Sequence, residues 1–219
     1  MEGKTHRVGG VLGVVAGYLV MSNKGLLLED VNPILQLAVM YPFAIYGSVV
    51  PDLDHNWNSA PVKDPISWGI NKILHLTTGK ISPNHRNGFN PLSIFNAKHR
   101  SWQTHSLEFL IILIGIVYYA GTIGISIDSI ILRLILNGFT LGVISHLILD
   151  ALTPDGILVA IPTIISGSKV TISLVPKSGI FVTGGPWERL VRTVMWVIVI
   201  VLFMYIAYLM CPYQLTFNF

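Results

Sequence analysis

An all-α, polytopic membrane helix bundle is the fold class this sequence predicts, and three observations predict it. Of 219 residues, 52% are hydrophobic and only 11% are charged, against about 25% charged in an average soluble domain. Mean hydropathy is +0.65. The charges are also bunched, which leaves long uncharged intervals along the whole chain. Fourteen Lys and Arg with eleven Asp and Glu are too few to solvate a globular surface of this size. That argues against a cytosolic enzyme, a disordered chain and a secreted disulfide scaffold. Cys211, the one cysteine, excludes an internal disulfide and a thiolate metal cage. Because the apolar segments run from end to end, residues 1–219 read as a single integral membrane domain.

The intervals define the elements. Arg7 to Lys24 encloses 16 uncharged residues, Asp30 to Asp52 encloses 21, Glu108 to Asp128 encloses 19 and Arg133 to Asp150 encloses 16, while nothing after Arg192 is charged. A bilayer core of about 30 Å takes roughly 17–25 apolar residues as helix. Five spans are therefore expected, near 8–28, 33–50, 107–127, 130–150 and 191–211. Gly9, Gly10, Gly13 and Gly17 weaken the first span as a helix in water, but in lipid small residues let helices approach closely. Lys4 and Arg7 ahead of a short apolar run also resemble a signal peptide, although no A-x-A-type cleavage site follows.

Between spans two and three, Pro51 to Thr104 forms a long polar loop. Segments 62–78 and 92–104 within it read as short amphipathic helices on the membrane surface. The apolar run Ile157–Ile165 is too short to cross. After it, Lys169 to Thr183 alternates apolar and polar residues like a small hairpin. With five spans and a cytoplasmic N-terminus, twelve of the fourteen basic residues fall inside and two, Lys24 and Arg133, fall outside. The positive-inside rule therefore sets the N-terminus in the cytoplasm and the C-terminus outside.

The histidines and carboxylates then fall into a pattern that the orientation did not use. His6 precedes span one; Asp52, Asp54 and His55 follow span two; His99 and His105 precede span three; His146 and Asp150 close span four. Each lies at the cytoplasmic end of a different span, where a compact bundle brings them together. His146 and Asp150 are i,i+4 and share a helix face, as Asp52 and His55 do at i,i+3. Asp52 and Asp54 diverge on a regular helix, so joint ligation requires the chain to leave helical geometry after Pro51. His99 and His105 also diverge on one straight helix.

Singly, each residue has an ordinary explanation. A histidine near the interface serves as an amphipathic anchor, which is the reading for His75 and His85. The Pro-Asp-x-Asp-His run also suits a helix stop. As a set, ionisable residues at span ends default to function. Imidazole and carboxylate without thiolate suit zinc or manganese, or iron. Up to four histidines and three aspartates exceed a closed four-ligand zinc site, so more than one divalent ion is expected. Such clusters activate water against phosphoesters.

At these residues the chain resembles the YdjM-like family, the LexA-regulated, inner-membrane-bound metal-dependent hydrolases. The matching elements are Thr5-His6 followed by glycines, Pro51-Asp52-Leu53-Asp54-His55, and His99-Arg100 with Thr104-His105-Ser106-Leu107. Next come Gly142-x-x-Ser145-His146-Leu-Ile-Leu-Asp150, Thr153-Pro-x-Gly156 and Gly184-x-x-x-Glu188-Arg189. They extend in order over residues 5–189. The family pattern His-Arg-Gly-x-Thr-His-Ser carries one more residue here, which shifts His99 relative to His105. Distantly, the family is similar to zinc-dependent phospholipase C and the zinc single-strand nucleases. The resemblance implies His6, Asp52, His105, His146 and Asp150 as metal ligands, with Asp54, His55 and His99 as further candidates.

A site at the cytoplasmic boundary favours a membrane lipid or lipid-linked phosphoester as substrate. Arg100, with Lys98 nearby, is the candidate for pairing with phosphate oxygens, although positive-inside anchoring also explains both. Glu188 is the candidate proton shuttle or outer ligand; the alternative is a surface acid favoured by the helix dipole after Pro186. Trp57, Trp68, Trp102 and Trp187 suit an interfacial belt. Net charge +3, spread over three loops, argues against nucleic acid. The competing functions are a divalent-metal transporter or sensor and a structural membrane protein with a stabilising metal. Transporter sites usually lie near mid-bilayer, whereas this set gathers at one face.

Overall fold

The computed structural model describes residues 2–28, 31–54, 63–77, 102–122, 127–166, 170–175 and 183–210. In chain order the elements are α1 (Gly3–Asn23), α2 (Pro33–Gly47), a 3-10 turn (Pro51–Asp54), α3 (Pro65–Thr77), α4 (Trp102–His105), α5 (Leu107–Thr122), α6 (Ile127–Ala151), β1 (Ile157–Leu158), α7 (Ala160–Ser166), β2 (Thr171–Ile172) and α8 (Pro186–Met210). Helices α1, α2 and α6 pack on one another; α8 lies against α1, and α5 against α6.

Small residues bring the central three helices close. A Cβ on Gly142 would strike the carbonyl oxygen of Ala44, and one on Gly10 would come within 2.7 Å of that same atom. In lipid, helices associate through this kind of backbone approach because apolar burial alone gives no preference for protein over acyl chain. Val14, Val15, Tyr18, Leu37, Met40, Ala44 and Leu134 fill the seam. At the far end from His6, Gln36 closes the α1–α2 link. Its side chain donates to the carbonyls of Leu28 and Val31, both at 2.8 Å, and accepts from Leu28 N–H at 3.1 Å. Helix α2 begins at Pro33, with the Asn32 side chain accepting from Ile34 N–H at 2.9 Å, a preorganised start.

Three helical segments among the described residues are long and apolar enough to cross a membrane: Pro33–Leu53, Ile130–Ala151 and Pro186–Met210. They coincide with the second, fourth and fifth expected spans. The first expected span is a helix of sufficient length, but its glycines and polar ends dilute its apolar character. The third is represented by a shorter apolar helix, Leu107–Tyr119. The amphipathic helix expected over 62–78 is α3. Of the one expected over 92–104, the described part is α4, and residues 92–101 lie outside the described residues. Of the hairpin expected over 169–183, residues 169 and 176–182 lie outside the described residues; within the described part, Thr171–Ile172 pairs antiparallel with Ile157–Leu158. Gly156 permits this pairing. Its φ of +64° is in the left-handed region, and a Cβ would run into the carbonyl of Ile172.

Candidate metal centre

Five of the residues singled out from the sequence meet in one place. His6 comes from the first turn of α1, Asp52 from the 3-10 turn after α2, His105 from the end of α4, and His146 and Asp150 from the last turns of α6. All five are buried, Asp52 being the most exposed at 8%.

Each is held by its local structure. On α6, His146 and Asp150 are one turn apart and share a face, as their spacing requires. The His146 Nδ1–H donates to the carbonyl of Ser48 at 2.7 Å. A carbonyl can only accept, so Nδ1 carries the proton and Nε2 presents its lone pair to the cluster. The glycine contacts of α2 with α6 bring that carbonyl within reach. His105 is oriented through its Nδ1, 2.9 Å from the Thr104 hydroxyl. The next residue, Ser106, pairs with Leu158, and its hydroxyl accepts from Phe109 N–H at 3.0 Å. Glu108 fixes the same corner by accepting from the N–H groups of Ala160 and Ile161, both at 2.9 Å.

Asp52 leaves α2 in a 3-10 turn, the kind of departure from α-helix that joint ligation with Asp54 would require. Asn71 of α3 donates to the carbonyl of Leu53 at 2.5 Å, and the hydroxyls of Tyr46 and Ser67 are 2.9 Å apart. Helix α3 thus fastens the Asp52 turn. The His6 ring stacks on His146, centroids 3.8 Å apart and planes 17° from parallel.

The donor spacings fit a metal ion. His105 Nε2 and His146 Nε2 are 3.2 Å apart. His105 Nε2 lies 3.6 Å from both Asp52 Oδ1 and Asp150 Oδ2, and His146 Nε2 lies 3.8 Å and 3.5 Å from the same two oxygens. Five edges among four donors therefore fall between 3.2 and 3.8 Å. Zinc bonds of about 2.0–2.2 Å in tetrahedral geometry place donors roughly 3.3–3.6 Å apart. A further fact agrees: the two buried carboxylates need positive charge beside them. His6 Nδ1 is buried with no hydrogen-bond partner among the described residues. The ligand atoms form two overlapping groups, His6–Asp52–His146 and His105–His146–Asp150. Both are buried and either could hold an ion.

Of the other candidates, Asp54 ends the 3-10 turn, while His55, His99 and Arg100 lie outside the described residues. Glu188 is no surface acid: it is 4% exposed, its Oε1 accepts from Thr5 Oγ1 and Glu2 N–H at 2.5 Å, and its Oε2 accepts from Gly184 N–H at 2.7 Å. Sequence reasoning did not single out Ser48 or Asn71. Ser48 acts through its backbone, which leaves no side-chain signature. A polar Asn on the inward face of an amphipathic helix was the available signal for Asn71.

The family model described as YdjM inner membrane protein matches residues 1–217. A protein of Bacillus subtilis (strain 168), titled "Uncharacterized protein YvsG", is 29% identical over 182 residues, covering 83% of this chain and 84% of that protein. No solved structure matches. With nearly the whole chain matched, and with buried imidazoles and carboxylates placed where a metal could bind at the end of apolar helices, this chain belongs to the YdjM family of inner membrane proteins.

Proposed function

We propose that the chain is a metal-dependent hydrolase that cleaves a phosphoester of a membrane lipid or lipid-linked substrate at the cytoplasmic face of the inner membrane. In this reading it crosses the bilayer five times, with its N-terminus inside and its C-terminus outside. The observation that carries the proposal is the buried meeting of His105, His146, Asp52 and Asp150 at metal-ligand spacing. Four closed protein ligands suit a structural zinc site, but a fifth donor, His6 Nε2, stands 3.8 Å from Asp150 Oδ1. The ligand set therefore exceeds what one structural ion uses.

His146 has one lone pair to give, because its other nitrogen is committed to Ser48. It therefore serves one ion, and the two overlapping groups cannot both claim it. Asp150 resolves this, since its Oδ2 faces His105 and His146 while its Oδ1 faces His6. Were two divalent ions bound, Asp150 would offer one carboxylate oxygen to each donor group, and zinc, with manganese as the alternative, would suit these donors. Bound divalent ions supply Lewis-acid charge and lower the pKa of water. The protein supplies orientation through the Ser48 carbonyl and Thr104 hydroxyl, and it supplies a buried setting in which charge is weakly screened. Arg100 remains the proposed partner for phosphate oxygens, on sequence grounds.

Purified protein in nanodiscs containing phosphatidylglycerol, assayed for phosphodiester cleavage with added zinc or manganese, tests the proposal. The expected result is cleavage that chelator abolishes, metal restores and His146→Ala eliminates. Zinc binding without cleavage of any phosphoester offered would replace the enzyme reading with that of a metal-binding membrane protein.

A further inference from the structure

His6 differs from the other two histidines of the centre. His146 is oriented by the Ser48 carbonyl and His105 by Thr104, whereas His6 Nδ1 has no hydrogen-bond partner among the described residues. Apart from its stack on His146 and its approach to Asp150 Oδ1 at 3.8 Å, the position of the His6 ring among the described residues follows from its backbone, which is the first turn of α1. That turn lacks a side-chain cap of its own, since Glu2 occupies the N-cap position without capping.

The missing acceptor comes from α8. Glu188 Oε1 takes the Glu2 N–H and the Thr5 hydroxyl, both at 2.5 Å, while Oε2 takes the Gly184 N–H at 2.7 Å. Thr5 is fully buried and adjoins His6 in sequence. A carboxylate at a helix N-terminus is also favoured by the helix dipole. Gly184, at φ +76°, turns the chain so that its N–H meets the same carboxylate, a conformation glycine adopts without strain.

We infer that Glu188 is the positioning residue of His6: it acts on the metal centre through Thr5 and the first turn of α1, and it moves no proton. This rests on the reading of His6 as a metal ligand.

Zinc affinity of the full-length protein in detergent micelles, measured by competition with a chromophoric chelator, tests it. Glu188→Ala is expected to weaken zinc binding at the site that His6 serves by about tenfold, the low end of what outer partners contribute, and His6→Ala, which removes the ligand itself, by more. The double variant should lose no more than His6→Ala alone, because both act through one ligand. Thr5→Ser should bind like wild type and Thr5→Val should weaken in the same direction as Glu188→Ala. Should Glu188→Ala fail to fold, the Thr5 pair carries the comparison, since both variants keep the Glu2 contact. Losses that add in the double variant, or Glu188→Ala and Thr5→Val with wild-type affinity, overturn the positioning role while leaving the centre intact. A wild-type protein that takes up no zinc removes the centre and this inference together.

Discussion

The Nε2 atoms of His105 and His146 stand 3.2 Å apart although 41 positions separate the two residues in the chain. The proton on His146 is held at Nδ1 by the Ser48 carbonyl. The short gap is therefore bridged either by a proton on His105 Nε2 or by a shared cation, and the two carboxylates at 3.5–3.8 Å favour the cation. His105→Ala and His146→Ala should each reduce zinc affinity by more than about 100-fold, the upper end of what loss of an outer-shell partner costs. Helical content by circular dichroism should be retained. Elemental analysis of the purified variants gives the stoichiometry; unchanged zinc content in either would separate that histidine from the centre.

Asp52 depends on a contact outside the cluster. Removing the Asn71 donor leaves the buried carbonyl of Leu53 unpaired at that bond, a cost of about 1–3 kcal/mol. It also frees the turn that aims Asp52. Asn71→Ala should lower both Tm and zinc affinity, whereas Ile73→Ala, on the exposed side of α3 at 60% exposure, should change neither appreciably. Thermal unfolding with and without zinc measures both effects.

Glycine on α6 has a geometric duty that the same residue on α5 does not. A Cβ at Gly142 meets the Ala44 carbonyl and the Ser48 nitrogen, while one at Gly115 meets nothing within 4 Å. Gly142→Ala should cost about 1–3 kcal/mol by overpacking and should weaken zinc binding, because it moves the Ser48 carbonyl away from His146. Gly115→Ala should be neutral or slightly stabilising, since alanine is the better helix former. Equal effects from the two substitutions would remove the link between α2–α6 packing and the centre.

The sequence made the buried His and Asp cluster legible because metal chemistry restricts candidates to few residue types, and they fall beside the ends of separate apolar segments. His146 and Asp150 needed only helical spacing, and Asp52 needed the break that Pro51 introduces. The supporting contacts were not legible for physical reasons. The Ser48 carbonyl belongs to the backbone, the Asn71–Leu53 bond joins positions 18 apart, and Glu188 reaches Thr5 across 183. Alternation over 169–183 pointed to extended chain, which Thr171–Ile172 is, but did not reveal that this strand pairs with Ile157–Leu158 before α7; residues 176–182 lie outside the described residues. The glycines of α1 were read as allowing close packing, and Gly10 against Ala44 and Ser48 does this. The same glycines dilute that helix below the apolar character of α2, α6 and α8.

Acid should loosen the start of α3. Asp64 caps this helix, accepting from Ile66 and Ser67 N–H at 2.9 Å and from the Ser67 hydroxyl. The Ser67 hydroxyl, followed by the Ser67 N–H, holds its carboxyl below the usual carboxylate range. A lowered folded-state value means that the stabilisation is present above the unfolded value of about 3.9. It is lost as pH falls through the lowered value. A spin label at Gly69→Cys in a Cys211→Ser background should therefore become more mobile at acid pH. Asp64→Asn, which retains a capping oxygen but cannot titrate, should remove that pH dependence.

The same labelled position tests the orientation on which a cytoplasmic substrate depends. Lys24, exposed at the end of α1, lies on the opposite side from α3 if α2 crosses the membrane between them. Under the proposed five-crossing topology, twelve basic residues against two lead to the expectation that the α3 side is cytoplasmic. Lys24→Cys removes one of the two outside positive charges, so it strengthens the bias it is used to test. In intact spheroplasts a membrane-impermeant maleimide should label Lys24→Cys at once and Gly69→Cys only after permeabilisation, with Cys211→Ser in both. Reversed labelling would put the His and Asp cluster at the outer face and move the proposed substrate to the other leaflet. Labelling of both positions in intact cells would mean that α2 does not separate them, and the five-crossing topology would fail at its second span.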